Sequence, residues 1–151
     1  MRLIISRSLL GEIEAHLHAA LPHECCGLLV GTRTEHEIHA LRIVPSENVN
    51  PAPDTFEIDP ALLLRLQREL RGGPHALVGL YHSHPGGTPH PSPRDVAGAT
   101  YPGFVWLIAA SAPGGAISHG AFWHDARDGV PPRGLTAIAM ADLSLPGPAP
   151  A

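Results

Sequence analysis

The sequence contains no lysine, and all ten of its basic residues are arginines. These arginines are scattered rather than clustered, and the formal net charge is −4. A nucleic-acid-binding surface normally carries a basic patch or stripe, so the sequence argues against nucleic acid as a partner. Because it has no lysine side chain, the chain is also a poor candidate for covalent modification at an ε-amine.

Long apolar runs are also missing, since no stretch reaches the roughly 20 residues that a membrane-spanning helix needs. The first ten residues, MRLIISRSLL, have a short apolar core and no small-residue cleavage site, so they do not predict a signal peptide. The sequence therefore predicts a protein that is neither inserted into a membrane nor exported.

Cysteine is scarce, and the two cysteines, Cys25 and Cys26, are adjacent. Neighbouring cysteines rarely form a disulfide without strain, and the chain has no second pair to complete a cysteine-based metal site. We interpret both as reduced thiols that pack as small hydrophobic side chains. Reduced thiols favour a cytoplasmic location.

The length of 151 residues is typical of one domain with a substantial core. The C-terminal stretch LSLPGPAPA is an exception, because it has too little apolar content to pack. We therefore predict one domain over residues 1–141 and a disordered tail over residues 142–151.

Hydrophobic periodicity and start signals predict three helices. Apolar residues recur at helical spacing over residues 8–21. Asp-Pro at residues 59–60 places an N-cap residue before a proline at the first helical position, and the helix that follows ends at Gly72. Ser-Pro at residues 92–93 repeats this signal and opens a short helix.

Apolar runs bounded by turn residues predict the strands, some of them covered on both faces. They span residues 2–5, 25–31, 37–45, 75–84, 104–111 and 114–126, with a last short strand or helix at 135–140. We predict an α+β fold with a curved, mixed and largely antiparallel sheet flanked by helices, in a three-layer α/β/α-like arrangement.

The stretch YHSHPGGTPHPSPRD, residues 81–95, concentrates side chains that bind metals. Alternate side chains of a strand share a face, so His82 and His84 point the same way at the end of their predicted strand. Asp95 lies at the start of the next helix and faces them if the loop folds over. Two imidazoles and one carboxylate make a zinc site with a fourth position open, as in catalytic zinc sites.

Hydrolysis at such a site requires a base that takes a proton from water and passes it on. Glu24, directly before the apolar run 25–31, is a candidate if that strand lies beside the strand of the histidines. Ser92, at the predicted N-cap, is a candidate hydrogen-bond donor to the oxyanion of a tetrahedral intermediate.

Each part of this pattern also has a structural interpretation. A chain with eleven histidines will contain some His-x-His pairs by chance. Ser92 with Asp95 is by itself a capping box, which is compatible with catalysis, and Glu24 alone reads as a solvated residue at a strand end.

Two segments, PHECCGLLVG (22–31) and HSHPGGTPHPSPRD (82–95), together resemble the JAMM (MPN-plus) zinc metallopeptidases of the short prokaryotic type. The signature of that family is an upstream glutamate, then His-x-His-Pro, seven residues from the second histidine to a serine, two more, and an aspartate. All of these positions are intact here. The resemblance covers roughly residues 2–126 and includes FEIDP and FVWLIAAS.

The resemblance implies one zinc ion per chain, held by His82, His84 and Asp95. It implies that Glu24 is the general acid/base and that Ser92 supports the oxyanion. The implied fold is a curved sheet between helices, of the cytidine-deaminase-like type. The implied reaction is hydrolysis of an amide bond after the C-terminal Gly-Gly of a ubiquitin-like or sulfur-carrier protein, which would be the partner.

Two other functions stay open at this point, and so does the oligomeric state. The chain could be a non-catalytic MPN-type scaffold that binds proteins, although its intact ligand set argues against this. It could also hold a structural zinc ion or act as a histidine-rich metal buffer, although the other histidines are irregularly spaced.

Overall fold

The computed structural model describes residues 1–142 apart from 51, 53, 100, 102 and 126–133. Each predicted element is present, and its bounds lie within three residues of the expected ones. In chain order the elements are β1 (Arg2–Ile5), α1 (Arg7–Ala20), β2 (Cys26–Arg33), β3 (Glu37–Ser46), α2 (Pro60–Leu70), β4 (Ala76–Pro85), α3 (Pro93–Gly98), β5 (Val105–Ser111), β6 (Ile117–Trp123) and β7 (Thr136–Asp142). Of the predicted tail, Asp142 ends β7, and residues 143–151 lie outside the described residues.

Both long helices begin at side-chain caps. Ser6 Oγ accepts a hydrogen bond from the Leu9 amide at 3.1 Å and starts α1. Asp59 caps α2 in the same way, ahead of Pro60. These contacts satisfy amides that have no partner within the helix. The Asp-Pro signal predicted the start of α2 correctly, whereas periodicity alone predicted α1 from residue 8, one residue after its actual start. None of the helices in the described part of the chain has the length and apolar content that crossing a bilayer requires.

The seven strands of the described residues form one sheet in the order β1-β3-β2-β4-β5-β6-β7, and this sheet closes into a barrel. Closure arises because β1 pairs in parallel with both β3 and β7. The β4–β5 pairing is also parallel, and the other four pairings are antiparallel. The predicted α+β class and mixed sheet are thus confirmed. The predicted three-layer arrangement implied an open sheet between helices, whereas the observed sheet is closed.

Two apolar clusters cover opposite faces of the sheet. One contains Ile13 and Leu17 of α1, and the other contains Leu62 and Leu66 of α2. Strands β2, β4 and β5 contribute buried residues to both clusters, as expected for continuous apolar runs. Trp106 on β5 is 2% exposed and belongs to the α2 side.

The strand order brings the start of β2 to the end of β4. In this antiparallel pair Cys26 is opposite His82, and the Ser83 amide donates to the Cys25 carbonyl at 3.1 Å. The register therefore places Glu24 across from His84. The loop after β4 then returns the chain to α3, so the two motifs of the sequence meet at one end of the barrel.

Candidate metal centre

The two histidines of β4 point to the same side and touch. His82 is fully buried and His84 is 15% exposed. Their Nε2 atoms lie 3.1 Å apart, as the alternation of side chains along a strand predicts.

Asp95 is held against both imidazoles by the first turn of α3. Its Oδ2 lies 3.2 Å from His82 Nε2 and 3.0 Å from His84 Nε2. The same Oδ2 accepts the Ser92 amide at 2.8 Å, while Ser92 Oγ accepts the Asp95 amide at 3.0 Å. The predicted capping box is thus confirmed, and it also fixes the direction of the Asp95 carboxylate.

The cluster of His82, His84 and Asp95 fits a metal ion. Three ligands of a tetrahedral zinc ion at about 2.0–2.2 Å lie roughly 3.3 Å from one another, close to the observed 3.0–3.2 Å. His84 Nδ1 donates to the Thr88 carbonyl at 2.8 Å. In the neutral ring, Nε2 of His84 then carries a lone pair and no hydrogen. This lone pair and those of the Asp95 carboxylate repel each other unless a cation lies between them.

Glu24 stands beside this cluster but slightly farther away. Its side chain is 4% exposed, and Oε1 lies 4.0 Å from His84 Nε2 without a hydrogen-bond partner among the described residues. Ligand atoms of Glu24, His82 and His84 all fall within 4.8 Å of one another, so they form a second possible trio. Asp95 touches both imidazoles directly, whereas Glu24 keeps a distance that suits an intervening water.

Burial dominates the electrostatics of the cluster. It raises the pKa of Glu24 to about 7, while the nearby His84 opposes the rise and Asp95 and Asp54 add to it. Burial also lowers the pKa of His82. For Asp95, burial alone would raise the pKa, but the two adjoining imidazoles hold it well below its usual range.

Aromatic side chains fix the buried imidazole. Phe56 stacks on the His82 ring with centroids 4.2 Å apart and planes 17° apart, and Trp106 meets the ring edge-on at 5.7 Å. Sequence reasoning assigned no role to Phe56 or Thr88. The one available signal was FEIDP, which matched the family pattern without indicating a contact to His82.

Asn48 and Ser83 fix the backbone at Glu24. Asn48 Nδ2 donates to the carbonyls of Glu24 and Thr55 at 3.1 and 3.0 Å, which ties the loop after β3 to the start of β2. Ser83 Oγ accepts the Cys25 amide at 2.8 Å. Cys25 and Cys26 are both free and buried, as predicted. No sequence signal pointed to Asn48 or Ser83.

Two clefts open beside the cluster. One, of about 340 Å³, is lined by Glu24, Asp54, His84 and Ser92 and by three prolines. The other, of about 210 Å³, lies between residues 55–58 and α3 and includes Asp95, Tyr101 and Trp106. All five predicted site residues thus lie together, at or beside the point where these two clefts reach the cluster of His82, His84 and Asp95.

Curated proteins of several organisms resemble this chain. A probable TtuB-protein conjugate cleaving protease of Thermus thermophilus is 40% identical over 100 residues, which are 66% of this chain and 64% of that protein. A desampylase of Haloferax volcanii is 34% identical over 59% of this chain and 63% of its own. The chain thus spans a little less than two thirds of these relatives. A CysO-cysteine peptidase of Mycobacterium tuberculosis is 28% identical over 72% of this chain and 73% of its own.

Solved structures share the fold over almost the full chain. The solution structure of a protein from Desulfitobacterium hafniense covers 93% of this chain and 92% of its own, with 29% identity and a TM-score of 0.76. A protein from Salinibacter ruber covers 97% of this chain and 95% of its own, with 26% identity and a TM-score of 0.62. Residues 6–124 match the family described as prokaryotic homologs of the JAB domain. The resemblance seen in the sequence is confirmed, and this chain belongs to that family of short prokaryotic JAMM proteins.

Proposed function

We propose that this chain is a zinc-dependent peptidase that hydrolyses the amide bond after the C-terminal glycines of a ubiquitin-like or sulfur-carrier protein. One observation carries the proposal. A buried carboxylate with an unpaired oxygen, Glu24, stands 4.0 Å from one imidazole of a cluster that fits a metal ion. Burying a carboxylate without a hydrogen-bond partner costs free energy of folding. A catalytic base is a function that requires such a carboxylate.

One zinc ion per chain would be held by His82, His84 and Asp95. Two nitrogens and one carboxylate suit zinc among the divalent metals, and three protein ligands leave a fourth position open. When bound, zinc supplies a Lewis acid that polarises the scissile carbonyl and lowers the pKa of water toward ~7. Thr88 orients His84 by accepting from its Nδ1.

Glu24 would move the proton. Its pKa of about 7 lies near the working pH, where a general base is most effective. The carboxylate takes a proton from the attacking water and returns it to the departing amine. Both transfers use the Oε1 atom that has no other partner among the described residues.

Ser92 would stabilise the oxyanion. Its Oγ accepts from the Asp95 amide, and this leaves the hydroxyl hydrogen free to donate. Ser92 lines the cleft that also contains Glu24 and His84, so a carbonyl that enters this cleft meets the hydroxyl.

Replacing Ser92 with alanine is expected to lower kcat by about 10²–10³-fold, as loss of an oxyanion donor does. The lost cap also costs about 1 kcal/mol of stability. Ser6→Ala is the matched control, because it removes the equivalent cap of α1 away from the cleft. Steady-state kinetics and urea unfolding of both variants separate the effects. If Ser92→Ala and Ser6→Ala have equal activity, Ser92 has no role in the catalytic step.

The relatives suggest the substrate. Their names refer to TtuB-protein conjugates, to desampylation and to CysO-cysteine. We infer that the glycine tail of a small carrier protein enters the cleft between residues 55–58 and α3, whose walls include Tyr101 and Trp106. Because glycine has no side chain, it fits a cleft of about 210 Å³ where larger side chains would clash. We also propose a cytoplasmic location, consistent with the two free thiols.

The test is a panel of ubiquitin-like sulfur carriers, each fused after its Gly-Gly to a reporter protein. Mass spectrometry of the products should show cleavage directly after the second glycine by zinc-loaded protein. A Gly-Gly to Ala-Ala tail on the same carriers is the control and should resist cleavage. Metal-loaded protein that binds the carriers but leaves every fusion intact would instead support a non-catalytic scaffold.

A further inference from the structure

The cleft that contains Glu24 carries negative charge and apolar walls. Asp54 is the second carboxylate of its lining, and Pro22, Pro85 and Pro91 form the walls. Among the described residues that line it, none is an arginine, and the remaining ionisable side chains are histidines. Glu24 is 4% exposed, and its Oε1 atom has no hydrogen-bond partner in the part of the chain that the structure describes, so the cleft offers a buried acceptor to a ligand.

This cleft is the place for the departing amine. Under the proposed function, on which this inference rests, Glu24 returns a proton to the leaving nitrogen, so that nitrogen must lie within reach of Glu24 Oε1. Hydrolysis joins the hydroxyl of water to the carbonyl carbon, breaks the C–N bond and leaves the proton on the amine. The group attached to the amine then extends past Asp54 and the prolines.

Asp54 is available to act on that group. Its Oδ1 lies 3.1 Å from Arg94 Nη1, and the two side chains are 68% and 63% exposed. An exposed pair of this kind contributes at most about 1 kcal/mol, so it exchanges readily. Asp54 lines the cleft of Glu24, whereas Arg94 lines the other cleft. A leaving group in the cleft of Glu24 therefore meets the Asp54 carboxylate once this pair with Arg94 separates.

We propose that Asp54 is a specificity-determining residue that excludes leaving groups with a free carboxylate beside the departing amine. In a free amino acid the α-carboxylate lies two bonds from the amine nitrogen, which would place it against Asp54 and Glu24. Like charges repel, and the repulsion is strongest at the buried end of the cleft, where Glu24 is 4% exposed. A lysine side chain places only methylenes there, and these pack against the prolines. The substrate class is then a carrier joined to a protein amine rather than to a free amino acid.

Three conjugates of one sulfur carrier test this. Its Gly-Gly is joined to the α-amine of alanine, to that of alanine amide, or to the ε-amine of a lysine within a peptide. For the wild-type protein, kcat/KM is expected to be on the order of tenfold higher for the alanine-amide and lysine conjugates than for the alanine conjugate with its free carboxylate. Most of this difference should come from a higher KM for the free acid. Asp54→Asn should raise kcat/KM for the free acid about tenfold and change the other two less than about twofold.

Two further variants serve as controls. Asp54→Glu keeps the charge and should keep the preference. Glu69→Gln removes an exposed carboxylate that is likewise paired with an arginine, Arg42 at 3.4 Å, but lies on α2, and it should change nothing. The inference is overturned if the wild-type protein cleaves acid and amide equally, or if Asp54→Asn affects both alike. If no conjugate is cleaved, the proposed function fails, and this inference fails with it.

Discussion

Glu24→Gln is expected to lower kcat by about 10²–10⁴-fold, the usual contribution of a general acid/base. The amide has nearly the same shape as the carboxylate but cannot take up a proton from water. Zinc content should stay near one per chain, because Glu24 lies farther from the imidazoles than Asp95 does. Steady-state kinetics on a cleavable Gly-Gly fusion and metal analysis of the same preparation check both statements.

Thermal unfolding separates this loss from damage to the fold. Glu24 is buried, and one of its oxygens has no partner among the described residues, so a neutral amide should leave Tm unchanged or raise it. Glu69→Gln is again the matched control and should keep full activity. An active Glu24→Gln protein would remove Glu24 as the base and would favour its role as a metal ligand in the trio with His82 and His84.

Loss of the metal is expected to abolish cleavage, and Asp95→Asn should do so by weakening zinc binding at least about 100-fold. Asparagine retains a side-chain oxygen that can accept the Ser92 amide, so the capping box that Asp95 now completes persists. The variant should therefore remain folded. Zinc titration, circular dichroism and cleavage assays give the three readouts.

A chelator provides the complementary test. Cleavage should stop when a chelator removes the ion and return when zinc is added, while the spectrum of the folded protein persists. If the chelated wild-type protein and Asp95→Asn both unfold, the ion is structural rather than catalytic. Several zinc ions per chain would instead indicate a metal buffer.

Local signals made the residues of the candidate metal centre predictable. The His-x-His spacing on a strand places His82 and His84 on one face whatever the rest of the fold. The Ser-Pro-Arg-Asp spacing determines a capping box, so the Asp95 carboxylate is held by backbone amides within its own turn. Such contacts join residues a few positions apart and depend mainly on the geometry of one element.

Other contacts depend on chain segments that are distant in sequence. Phe56 reaches His82, and Asn48 reaches the Glu24 carbonyl, only because the loop after β3 folds over the start of β2. The Asp54–Arg94 pair joins the same loop to α3. Neither an asparagine nor a phenylalanine in such a loop has a spacing rule that reveals its partner.

Periodicity, caps and motif spacing act over short distances, so the sequence alone was enough to predict the helices and strands, the class of the fold and the residues of the candidate metal centre. The tertiary structure was needed to show that the sheet closes, since Arg2 of β1 pairs with Ala139 of β7. It also decided that Glu24 faces His84, because the β2–β4 register sets it. Strand pairing depends on which backbone edges meet when the chain collapses, and the sequence of an apolar strand does not specify which other strand it pairs with.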